Sequence, residues 1–201
     1  MSYSYIIIGI TAIISFLAWS NGELMFKCFF IPNHVKERNE YWRFFSHGFI
    51  HADQQHLIFN MLTLFFFGPF VESAFAYHFG SGYTYILFYF AALVASSIPD
   101  YLKHKDDYRY RSLGASGAVS AVLFAAIIFD PWMLINFIIP GILFAVGYLW
   151  YSARMSKMNQ DNIGHNAHLW GGLFGMVFPF IMKPILLQEF IQNLIHIPYF
   201  Q

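Results

Sequence analysis

Charge is scarce in this 201-residue chain, where only 11% of residues are Asp, Glu, Lys or Arg. The 11 basic and 11 acidic side chains cancel, so no bulk field exists to gather nucleic acid or an acidic partner. Cysteine is rarer still. The lone Cys28 excludes an internal disulfide, and with no His or Asp beside it, it reads as a packing residue rather than a nucleophile. No repeat, low-complexity tract or linker interrupts the chain. What is abundant is apolar surface: 58% of residues are hydrophobic and 21% aromatic, which departs from soluble domains and describes a membrane protein.

A bilayer core asks for roughly 17 to 25 apolar residues per helix. Charge-poor windows fall at about 3–20, 51–71, 82–99, 114–129, 132–151 and 164–182, which predicts an all-α protein of six transmembrane helices in a single domain over residues 1–201. The first window, Tyr3 to Trp19, has no basic segment before it and no small-residue cleavage site after it, so it reads as a retained span rather than a signal peptide. The fourth is short for a crossing, as is permitted where a helix end is buried in protein or faces a water-filled cavity. Pro140-Gly141 is expected to bend the fifth.

Between the first two windows, from Asn21 to about Ile50, a long connection carries Phe29, Phe30, Tyr41, Trp42 and Phe44 among its charges and is expected to lie in the membrane interface. After Lys183, the groups Ile185-Leu186-Leu187, Phe190-Ile191 and Leu194-Ile195 recur at helical spacing and predict an interfacial helix over 185–198. Every Lys and Arg except Lys183 falls after the first, third or fifth window, on the side that the positive-inside rule assigns to the cytoplasm.

Polar residues inside spans are costly and mark function. Here they are His56 and Asn60 in the second span, Ser116 in the fourth and His168 in the sixth. Each lies a few residues from the start of its helix, and even-numbered helices enter from one face, so all four are expected at one depth. Gly117, Ala121 and Ala125 form one small-residue stripe, and Gly171 and Gly175 another. Such stripes let helix backbones approach closely in lipid, and docking through them would bring Ser116 within reach of His168.

A serine hydroxyl becomes a nucleophile when a neighbouring base takes its proton. His168 is the candidate base, kept neutral by partial burial. His56 and Asn60, one turn apart on one face, are candidates to stabilise an oxyanion. So are the backbone N–H groups of Ala115 and Ser116 at a helix start, in a turn that Gly114 and Gly117 make tight. Taken singly, a serine beside glycine packs or back-bonds to a carbonyl, and a histidine is a satisfied polar contact. Shared depth and spacing are what favour a site. His47, His51 and His56 raise a metal reading, but His56 falls off the face that His47 and His51 would share, and no Cys or acid joins them. No metal or cofactor is expected, and His47 and His51 are assigned to hydrogen bonds with loop backbone near the site.

Trp42-Arg43 in the long connection, His56-x-x-x-Asn60, Gly114-Ala115-Ser116-Gly117 and Ala167-His168-x-x-Gly171-x-x-x-Gly175 occur in that order. On these residues, over nearly its whole length, the chain resembles the rhomboid intramembrane serine proteases. A lone GxSG fits many hydrolase turns, whereas four pieces in register are specific. The resemblance implies a six-helix rhomboid-like bundle with a long interfacial first loop and a Ser116–His168 dyad without an aspartate. It also implies an oxyanion hole from His56, Asn60 and the Ser116 amide, and transmembrane segments of other proteins as substrates. Their entry would be between the second and fifth spans, in a multi-pass protein expected in a bacterial inner membrane. The first, third and fifth connections would then lie outside, opposite to the charge count.

One residue departs from that pattern. Many bacterial members carry an aromatic one turn after the nucleophile, under the histidine ring, and this chain has Ser120 there; either the histidine is less tightly oriented or another ring serves. Glu72, four after Gly68, matches the family's ending of the second span and equally a charge that marks a helix end. The alternative is a non-catalytic rhomboid-like protein that binds or escorts membrane segments, which predicts a missing Ser or His. A transporter or metal-binding protein predicts acids inside the membrane, which spans two to six are read as lacking.

Overall fold

The structure, a computed structural model, describes residues 2–158 and 164–197. In chain order the helices are α1 (Tyr3–Ser20), α2 (Gly22–Cys28), α3 (Pro32–Arg38), α4 (Arg43–Ser46), α5 (Gln54–Phe79), α6 (Tyr83–His104), α7 (Ser116–Phe129), α8 (Gly141–Met158), α9 (His165–Met182) and α10 (Ile185–Ile195). A small antiparallel hairpin, β1 (Leu134–Ile135) with β2 (Ile139–Pro140), lies between α7 and α8.

The exposure pattern of α1 identifies its solvent. Ile6, Ile10, Ile13, Phe16 and Leu17 are exposed, whereas Ser4, Thr11, Ser15 and Ala18 are buried. A helix in water reverses this arrangement. Lipid on one face and protein on the other produce it, because small and polar groups then make the helix contacts. α5 repeats the pattern with Phe59, Leu62, Phe65 and Phe66 outward. α1, α5 and α6 are each long and apolar enough to cross a membrane, and α9 with α10 adds a fourth apolar stretch bent by 118°.

α7 differs: it has only 14 residues, and every one from Gly117 to Ile128 is buried. Its neighbour α9 approaches it backbone to backbone. A Cβ added at Gly171 would come within 2.0 Å of the Gly117 carbonyl oxygen, and one at Gly175 within 2.2 Å of the Ala121 oxygen. Ser96 of α6 closes the other side of Gly117, where a Cβ would meet its Oγ at 2.2 Å.

The segment between α1 and α5 is largely helical rather than an open loop. α2 starts on the Asn21 side chain, α3 has Pro32 at its first turn, and Asn39 ends α3 with φ of 58°. Buried Arg43 donates to the carbonyls of Phe26, Lys27 and Phe29 at 3.2, 2.8 and 2.6 Å and pairs with Glu40. It thereby satisfies carbonyls that the end of α2 leaves without partners. Trp42 beside it stays exposed.

Three further expectations change. Helix was predicted from residue 132, but Asn136 and Phe137 take positive φ in the hairpin turn, and α8 starts at Gly141. Pro140-Gly141 is therefore a boundary rather than a bend. Glu72 neither ends α5 nor marks its end: its carboxylate accepts from Ser2 Oγ at 2.6 Å and from the amides of Tyr3 and Ser4 at 3.2 and 3.3 Å, capping α1 from across the interface. α6 runs past the predicted window 82–99, and Asp100, just beyond it, is buried near the helix end and accepts from Asn166 of α9. The tail helix ends at Ile195; residue 198 of its predicted range lies outside the described residues.

The close approach of α7 and α9 makes a direct test. Gly171→Ala and Gly175→Ala are expected to lower stability by about 2 kcal/mol or more, because each methyl meets backbone that cannot swing aside. Gly147→Ala on α8, where nothing lies within 4 Å, is expected to be neutral or mildly stabilising. Unfolding of the detergent-solubilised protein in a denaturing surfactant measures all three.

Candidate active site

α5 begins where Asp53 caps it, its carboxylate accepting the His56 N–H at 2.7 Å. That cap puts His56 in the first turn and Asn60 one turn later on the same side. The His56 ring lies against Gly114. A Cβ on Gly114 would be 2.6 Å from the ring's Cε1, and its φ of 114° is one that only glycine adopts readily. Asn60 is 6% exposed, and its Nδ2 has no hydrogen-bond partner among the described residues. A buried amide with free donor capacity is uncommon and costs stability unless something else uses it.

Ser116 is the first residue of α7, preceded by Ala115 with no side-chain cap. The first N–H groups of that helix are therefore left for a ligand or water. The residues leading to Ser116 are stitched down in three places. Phe30 and Ser112 exchange backbone bonds of 2.9 and 3.0 Å, the Gly114 N–H donates to the His47 carbonyl at 2.9 Å, and the Ala115 N–H donates to His51 Nε2 at 3.4 Å. The Ala115 amide, read from the sequence as an oxyanion donor, is thus directed at His51.

That last bond fixes the state of His51. To accept at Nε2 the imidazole must be neutral with its proton on Nδ1, which faces Ser15 Oγ of α1 at 3.0 Å; Ser15 in turn donates to the Phe49 carbonyl at 3.0 Å. His47 Nε2 lies 3.1 Å from Ser97 Oγ of α6, which donates to the Leu93 carbonyl at 2.8 Å. Both side chains therefore bond serines of neighbouring helices. The two residues do not share a helical face, because the chain is a 3₁₀ turn at His47–Phe49 and extended at Ile50. Burial pushes His47 down to about 4 and His51 to about 3.

His168 sits in the first turn of α9, its N–H bonded to the Gly164 carbonyl at 3.1 Å. A Cβ on Gly117 would lie 3.4 Å from the Ala167 carbonyl oxygen, and Gly171 packs directly on Gly117. The residues flanking Ser116 and His168 are thus in contact, with no helix between them. Two rings lie near His168: His165 of α9 stands edge-on at 6.0 Å and 77°, and Tyr148 of α8 stacks at 6.1 Å between centroids and 28° between planes, while the Tyr148 hydroxyl lies 3.0 Å from Ser120 Oγ. Ser120 therefore anchors a ring instead of supplying one. Asn166, two residues before His168, is tied to Asp100. Sequence reading did not single out Tyr148 or Asp100; its assignment of His51 to a loop-backbone hydrogen bond near the site is met by the Ala115 amide, a partner it did not name. The one signal for Tyr148 was the missing aromatic at 120.

The neutral histidines predict a pH dependence. Both have folded-state pKa values below the ordinary 6.5, so below that pH the unfolded chain binds protons that the folded chain refuses. Their contribution to stability is complete above about pH 6.5 and is lost as pH falls toward 4, by up to about 1.4 kcal/mol per pH unit for each histidine. Unfolding measured from pH 7.5 to 4 is expected to show this slope, and His51→Gln is expected to reduce it.

The family model of the rhomboid domain matches residues 38–185, which include His56, Asn60, Ser116 and His168. A rhomboid protease, GlpG, of Haemophilus influenzae is 26% identical over 159 residues, covering 75% of this chain and 74% of that protein. A rhomboid protease, GluP, of Bacillus subtilis is 29% identical over 182 residues, 86% of this chain but 34% of that protein. Rhomboid-related protein 1 of Caenorhabditis elegans is 26% identical over 185 residues, 84% of this chain and 50% of that protein. Of the latter two relatives the chain spans about a third and a half of the length. With the domain match covering most of its length and apolar helices turned outward to lipid, this chain is an integral membrane protein of the rhomboid family.

Proposed function

We propose that this protein is an intramembrane serine endopeptidase with six spans that cleaves transmembrane segments of other proteins through Ser116 and His168. In this reading it resides in a bacterial inner membrane, with the α2–α4 segment and α10 at the bilayer surface. The observation that carries the reading is the contact between the first turns of α7 and α9, which joins the surroundings of Ser116 to those of His168. Two relatives that bear the name rhomboid protease support the reaction class.

The chemistry is acyl transfer. His168 takes the Ser116 proton as Oγ attacks the scissile carbonyl, and negative charge develops on the carbonyl oxygen. The Ser116 N–H, the unused Asn60 Nδ2 and the His56 ring are the donors for that oxygen. The protonated His168 then gives its proton to the leaving amine. A water, deprotonated by the same imidazole, hydrolyses the acyl-serine and restores the enzyme. Substrate helices are attacked where they unwind, because a carbonyl inside an intact helix is already hydrogen-bonded and shielded.

The test is cleavage of a reporter carrying one transmembrane segment by protein reconstituted in liposomes. Ser116→Ala and His168→Ala are expected to fall to background, and Asn60→Ala or His56→Ala to lose roughly 10- to 1,000-fold in kcat. Cleavage that persists in Ser116→Ala overturns the reading. A native protein that binds the reporter without cutting it would establish the escort function instead.

A further inference from the structure

α8 is the most loosely held of the helices around the site. Gly141, Ala145 and Ser152 are its buried residues, while Leu143, Val146, Trp150 and Tyr151 are exposed. Yet this helix carries the ring stacked on His168. Tyr148 is gripped on several sides: its hydroxyl by Ser120, its ring by Phe124 of α7 and by Phe144 one turn back, each at 5.5 Å between centroids. The distance and tilt to His168 fall within the stacked range of aromatic pairs. A ring held at both its edge and its hydroxyl limits rotation of the imidazole about its own χ angles.

We propose that Tyr148 is a positioning residue for His168, anchored by Ser120, and that the histidine is aligned for proton transfer only while α8 is seated against α7. This rests on His168 being the base in the function proposed above. The alignment of the base is then set by a different helix from those that carry the nucleophile and the base. Movement of α8 away from α7 would draw the ring off the imidazole, so the base is correctly oriented only in the closed arrangement of these helices.

Two readouts test it in the reconstituted protein: reporter cleavage, split into kcat and KM, and the rate at which a small fluorophosphonate labels Ser116, which needs no substrate segment. Tyr148→Leu is expected to lower kcat and the labelling rate by about 10- to 100-fold with KM within about twofold. Tyr148→Phe and Ser120→Ala, which keep the ring and the fold, are each expected to lose about three- to tenfold, and their combination no more than either alone because they break one bond. Ser120→Tyr combined with Tyr148→Ala puts a ring on α7 and is expected to recover labelling to within about threefold of native. The proposal is overturned if Tyr148→Leu labels at the native rate, if its loss lies in KM alone, or if the Ser120→Ala and Tyr148→Phe losses multiply. Failure of the underlying reading looks different: native protein would then resist the fluorophosphonate, or Ser116→Ala would still cut, and both proposals would fall together.

Discussion

The structure depends on two helix backbones lying against each other with no side chains between them. At Gly117–Gly171 and Ala121–Gly175, α7 and α9 approach so closely that even a methyl group would overlap a carbonyl oxygen. In lipid the usual force that gathers apolar side chains is missing, because hydrocarbon tails solvate them as well as protein does. Close backbone contact supplies dispersion over many atom pairs in its place. The consequence is a central helix with no lipid face. At about 1.5 Å per residue the 14 residues of α7 span roughly 21 Å, less than the roughly 30 Å hydrocarbon core, and Ala115 at its starting end is fully buried in protein.

That starting end is where Ser116 stands, and its surroundings explain how a polar turn survives there. Three amides before the nucleophile are bound by the segment between α1 and α5: Ser112 to Phe30, Gly114 to the His47 carbonyl, Ala115 to the His51 ring. The amides at the start of α7 are left without a cap. The site is therefore polar in a graded way, with structural donors used up and the donors nearest the hydroxyl free. Neutral imidazoles suit this work, since each accepts at one nitrogen and donates at the other and brings no net charge into a buried place. Arg43 extends the same logic outward by tying the carbonyls at the end of α2, so the connection that grips the turn is itself held.

Apolar helical content, the small-residue stripes and the order of the polar motifs were legible in the sequence because each depends on spacing within one helix. What escaped it depends on partners far apart in the chain. The hairpin after α7 is built from apolar residues that composition assigns to a span, and the positive φ of Asn136 and Phe137, not their hydropathy, makes it a turn. Glu72 was legible as a charge marking a helix end, because a carboxylate in lipid is costly, and Asp100 was not singled out at all. Each meets donors from another helix, the start of α1 for Glu72 and Asn166 for Asp100. His51 was legible as polar but not as the acceptor for an amide 64 residues away.

Ser120 and Tyr148 show the limit most clearly. A motif reading compares one position at a time and records an aromatic lost at residue 120. Packing imposes a different requirement, that a ring occupy the space beside His168, and it is indifferent to which helix supplies it. A small residue on α7 opens that space, a tyrosine on α8 fills it, and the hydroxyl left over from the small residue fastens the newcomer. Close-packed interiors demand that such space be filled, and here the ring that fills it belongs to α8. Because α8 has few buried anchors of its own, the positioning proposed for Tyr148 would rest on a peripheral helix rather than on the fully buried central one.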